Sequence, residues 1–75
     1  MIQNFGEFKT LSDKRKVLYW KLVGQAAIAY PDEYGQIVAM HAIIAHEEGW
    51  DTGRELAEIV AVCAKRWPTL AFTHA

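Results

Sequence analysis

Apolar residues recur along this chain at the spacing of helices rather than strands. From Leu56 onward they fall at Leu56, Ile59, Val60, Cys63, Ala64 and Trp67, which is one stripe of an α-helix, with Arg54, Glu58 and Lys65 on the other side. Ile37 to Ala45 is apolar except for His41, the pattern of a central helix with neighbours on more than one side. Between Leu11 and Tyr30 the polar stripe is narrow. Lys14, Lys21 and Gln25 align, and Leu18, Tyr19, Trp20, Leu22, Val23, Ala26, Ala27, Ala29 and Tyr30 cover most of the rest. Ile2, Phe5, Phe8 and Leu11 repeat every three residues, which suits a short helical lead-in whose one side docks on the body.

Turn residues divide these patterns. Thr10 followed by Asp13 reads as an N-terminal cap, so the first helix is predicted at about 11–30, ended by Pro31. Asp32 caps a second helix at about 33–48, which Gly49 stops. Thr52 and Glu55 have the form of a capping box for a third helix at about 53–67, which halts at Pro68. The expectation is an all-α fold: a small three-helix antiparallel, up-and-down bundle. It forms a single domain over 1–75, with a docked lead-in at 1–9 and a short tail at 69–75 that offers Leu70 and Phe72 for docking.

Composition narrows the classes. The chain has 75 residues, 52% hydrophobic and 23% charged, which is globular and close to the lower limit for a self-sufficient core. A net charge of −1 offers no global field for nucleic acid or an anionic membrane. Cys63 is the only cysteine, so no disulfide forms within these residues and no zinc site with two thiolates exists. The reading of Cys63 is a small buried hydrophobe. Lys14, Arg15 and Lys16 precede an apolar stretch, but Lys21 interrupts it, which argues against a secretory leader. The longest run without formal charge, Tyr34 to His46, is too short for a membrane span. A cytoplasmic setting, with no membrane association, is expected.

Charge is sorted along the chain. Residues 1–31 carry a net +3, residues 32–60 a net −6, and Lys65 with Arg66 restore +2. Both the basic cluster at the start of the first helix and Glu47 with Glu48 at the end of the second oppose their helix dipoles. An up-and-down fold brings those two ends together, so internal pairing is one reading. The other is an acidic patch presented to a basic partner.

Candidate chemistry is sparse. His41 and His46 point about 140° apart on a helix, a poor spacing for a shared metal. His46-Glu47 lacks the second histidine of a zinc-protease motif. His41 reads as a core or interface histidine. No catalytic residues, metal ligands or cofactor-binding residues are assigned, and no enzyme is expected. Ala45, Gly49 and the following helix imitate the turn of a helix-turn-helix element, but Glu48, Glu55 and Glu58 fall where apolar residues are needed, and the turn is acidic.

Aromatic residues make up 12% of the chain, generous for so small a core. Trp50, in the turn Gly49-Trp50-Asp51-Thr52-Gly53, is expected to be exposed as an anchor, the alternative being that it folds back as a lid on Leu56 and the start of the first helix. With Glu47, Glu48, Asp51 and Glu55 it forms the predicted partner-binding site, suited to a larger protein with a basic surface. The excess apolar surface predicts a homodimer through Tyr19, Trp20, Val23, Ala27 and Tyr34. The expected function is a non-enzymatic protein-binding module, an adaptor or inhibitor. The alternative is a small DNA-binding regulator with a helix-turn-helix-like element.

Overall fold

In the computed structural model, the described residues are 1–51 and 53–72, without the side chains of 71 and 72. Five helices run in order: α1 (Phe5–Phe8), α2 (Asp13–Ala29), α3 (Glu33–Glu47), α4 (Glu55–Arg66) and α5 (Pro68–Phe72). The three long ones pack against one another, and there are no strands among the described residues. The all-α three-helix bundle expected from periodicity is therefore the fold. Gly24 meets Ile59, and further along the same two helices the Arg66 guanidinium donates to the Ile28 carbonyl at 2.8 Å. Thus α2 and α4 point the same way, and α3 runs against both.

Local chemistry fixes the ends. The lead-in forms the single turn α1, whose Asn4 carboxamide oxygen accepts from the Glu7 amide at 2.8 Å. Thr10 does not cap α2. Its hydroxyl donates to the Glu7 carbonyl and closes α1, while Ser12 accepts from the Arg15 amide and starts α2 two residues later than expected. Asp32 caps α3 as anticipated, accepting from the Tyr34 amide at 3.1 Å. Before α4, Thr52 lies outside the described residues. Arg54 occupies the cap position without a side-chain bond, so the helix starts at Glu55 rather than 53. Pro68 does more than end α4. It opens α5, because the first helical position needs no amide proton. Leu70 docks on the core, and residues 73–75 of the tail, like the Phe72 side chain, lie outside the description.

The core joins Trp20, Val23 and Ala27 of α2 to Val38, Ala39, Ala42 and Ala45 of α3 and to Leu56 and Cys63 of α4, together with Phe8, Trp50 and Trp67. The alanines and Gly35 of α3 let its neighbours approach closely. A Cβ on Gly35 would fall on the Tyr30 carbonyl oxygen, so only glycine permits this crossing of α3 beneath the α2 terminus. A Cβ on Gly24 would sit 2.9 Å from Ile59 Cγ1, so α2 and α4 pack closely there.

Candidate functional site

The turn after α3 decides what the surface offers. Gly49 takes φ +82°, its amide donates to the His46 carbonyl, and the Trp50 amide donates to the Ala45 carbonyl at 3.0 Å. These paired bonds are the usual C-terminal stop for a helix, and in that stop the residue after glycine turns back onto the last turn. The residue after Gly49 is Trp50. Its side chain is therefore carried inward, and it is 3% exposed. The expectation of an exposed Trp50 anchor is corrected on this point.

Around Trp50 lies a cluster of rings. Phe8 is fully buried, with its centroid 5.4 Å from Trp50, 5.3 Å from Trp20 and 5.8 Å from Tyr19. His41 stands edge-on to Trp50 at 5.6 Å. Lys16 places its ammonium 5.8 Å from the Phe8 centroid, an electrostatic contact with the ring face. A polar relay crosses the cluster. The Ile2 amide donates to the Tyr19 hydroxyl at 3.2 Å, and that hydroxyl meets His41 Nε2 at 2.6 Å. Burial lowers the His41 pKa, assisted by the positive amino terminus. Both effects favour the neutral ring, and in the tautomer protonated at Nδ1 the Nε2 atom accepts a hydrogen bond from the tyrosine hydroxyl. Burial likewise raises the Tyr19 pKa, although the Ile2 amide opposes the shift. The indole N–H groups of Trp20 and Trp50 are buried without a hydrogen-bond acceptor.

The acidic members of the expected site are placed differently. Glu47, Glu48 and Asp51 are exposed, and Asp51 pairs with His46 Nδ1 at 2.9 Å across the turn. Glu55 is half-buried, and its carboxylate folds back toward Gly53. These four carboxylates do not surround an exposed Trp50; the aromatic exposed beside that buried ring is Phe5, 5.9 Å from it between centroids. Of the expected self-association residues, Trp20, Val23 and Ala27 are core, Tyr19 is half-buried, and Tyr34 alone is open, at 51% exposure.

The apolar residues exposed on the long helices are aliphatic and tyrosyl, while Phe5 of α1 is 42% exposed. On α2, Leu18 and Leu22 are each 54% exposed, and Gln25 and Ala29 are also open. At 100° per residue these four share a sector about 60° wide. Beside them, Tyr30 and Tyr34 meet edge to face at 4.9 Å, and Ile37 continues the surface along α3. A shallow hollow of about 180 Å³ between Leu22, Ala26 and Tyr34 joins the two helices. Leu18 and Leu22 lay within reach of sequence reasoning, since Leu18 is one turn from both Lys14 and Lys21 on the polar stripe.

A second depression of about 260 Å³ lies between α2 and α4, with Gly24, Ile28, Ile59 and Val62 on its walls and Cys63 at its floor. Burial raises the Cys63 pKa, which Arg66 only partly counters, so its thiol is protonated and inert at neutral pH. Lys21, Glu58 and Arg66 rim this depression with mixed charge.

Among the described residues no group of three or more His, Cys, Asp or Glu side chains converges as a metal site would require. No described helix is long and apolar enough to cross a membrane. Compared with known protein families, curated proteins and solved structures, the chain matches none.

Proposed function

We propose that the chain is a non-enzymatic protein-binding module that also self-associates, and that it docks through the outer face of α2 and the adjoining start of α3. The observation that carries the reading is the run of Leu18, Leu22, Tyr30, Tyr34 and Ile37, each about half exposed on one side of a 75-residue bundle. Scattered apolar side chains need no explanation, but a contiguous group of this kind is the mark of a contact surface. The bundle's tryptophans are used internally, so docking relies on aliphatic and tyrosine side chains. A partner with a basic surface would meet the exposed Glu47, Glu48 and Asp51 only through charge, which favours encounter rate more than affinity.

The test compares the wild type with Leu18→Lys/Leu22→Lys as bait in the lysate of its own cell. The reading expects capture of a specific protein by the wild type, its loss in the variant, and similar melting temperatures for both. Equal capture by the two baits moves the docking surface elsewhere. A gel shift on duplex DNA at low salt, abolished by moderate salt, supports instead the alternative of a DNA-binding regulator.

A further inference from the structure

We infer that the outer face of α2 is covered by a second copy of this chain, packed antiparallel about a two-fold axis near Leu22. The inference rests on the reading of that face as a docking surface and adds its occupant and orientation. Two observations support it.

The first is charge. Lys14 and Arg15 are exposed at the start of α2, and Asp32 and Glu33 are exposed just beyond its end. Leu22 lies midway between residue 14 and residue 30, so an antiparallel partner centred there sets the basic end of one α2 against the acidic end of the other. Arg15 is turned about 60° from Leu18, toward the α3 side of the helix, which is where the partner's Glu33 arrives. The two-fold repeats the contact, so each dimer contains it twice. A parallel pair would place Arg15 against Arg15 and Glu33 against Glu33. Antiparallel alignment also sets the helix dipoles head to tail.

The second is area. Leu18, Leu22, Tyr30 and Tyr34 each leave on the order of 100 Å² uncovered, since a full tyrosine offers about 150–250 Å². With the aliphatic stems of Lys14, Arg15 and Gln25, the seam reaches about 600 Å² per copy, the low end for a specific interface. That size is within reach of a reversible dimer. The hollow at Leu22, Ala26 and Tyr34 gives a neighbouring copy's leucine a seat.

Charge reversal tests orientation and occupant together. Arg15→Glu and Glu33→Lys are both at exposed positions, and Asp32 is left alone because it caps α3. Sedimentation equilibrium is run on each variant, on an equimolar mixture, and on the double variant Arg15→Glu/Glu33→Lys, with circular dichroism to confirm folding. Each single variant places two like-charge contacts in its homodimer and is expected to weaken dimerisation about tenfold. The mixture forms heterodimers with both contacts attractive, and the double variant restores them within one chain, so both should recover wild-type affinity. Single variants that dimerise as well as wild type, or a double variant that stays weak, overturn the antiparallel arrangement. A wild type that is monomeric at 100 μM overturns the second copy as occupant. It leaves the docking face itself to the bait experiment, which reads a different partner.

Discussion

Replacing Trp50 by alanine distinguishes a buried tryptophan from a partner-facing one by its effect on the isolated protein. The side chain is 3% exposed and meets Phe8, Phe5, Trp20 and His41, with ring centroids between 5.4 and 6.1 Å. Truncating a fully packed tryptophan costs about 3–5 kcal/mol through lost burial and the cavity left behind. A domain of this length has about 4–11 kcal/mol in total. Trp50→Ala should therefore lose about half its stability, and at about 1 kcal/mol per molar urea the midpoint falls by about 3–5 M or the protein is unfolded at the outset. Trp50→Phe is expected to cost far less, about 1–2 kcal/mol. It keeps a ring against Phe8 and removes an indole N–H that has no acceptor. Urea titrations followed by far-UV circular dichroism measure both. A Trp50→Ala midpoint within about 0.5 M of wild type would refute the assignment of Trp50 to the core.

Two further outcomes follow from the same packing. Gly35→Ala places a methyl on the Tyr30 carbonyl oxygen and forces α2 and α3 apart, so a loss of about 3 kcal/mol or more is expected in the same titration, against the gain of a few tenths that alanine gives an unobstructed helix. His41 is held neutral by burial, its pKa lowered from the usual 6.5, so below that pH the unfolded chain binds a proton that the folded chain resists. Stability should be level above about pH 6.5 and decline as pH falls toward the lowered value. His41→Gln should flatten that part of the profile, and an unchanged slope counts against a buried neutral imidazole.

The parts of this fold that were readable in sequence are those set by local chemistry. Asp32 before α3, Gly49 after it, and the apolar period of α4 act within a few residues of where they are written. Thr10 and Ser12 could each cap a helix. In the fold Thr10 instead bonds the carbonyl of Glu7, which the α1 turn brings within its reach, and Ser12 takes the cap. Trp50 was misread because a residue in a turn was weighed as surface. The pair Gly49-Trp50 held the better signal, since the residue after a helix-ending glycine is often apolar and folds back. The three-residue spacing of Ile2, Phe5, Phe8 and Leu11 signalled that the lead-in docks, but not that Phe8 would lie against Trp20 and Trp50, which is a tertiary choice.

The division between buried rings and exposed aliphatics has a physical reason. A chain this short cannot enclose a wide core, so large flat side chains are the efficient filling: each ring brings much apolar area while fixing few torsions. Trp20, Phe8 and Trp50 occupy the space that the small alanines of α3 leave open, and they gather the stability at the end where α1, α2 and the Gly49 turn meet. The outer face of α2 is then left to Leu18 and Leu22, which cannot reach that centre without rotating the helix and withdrawing Trp20 from it. Their exposure is thus tied to the burial of Trp20 by the helical period itself. An apolar outer face fixed in this way is presented by every folded copy, as the proposed docking requires.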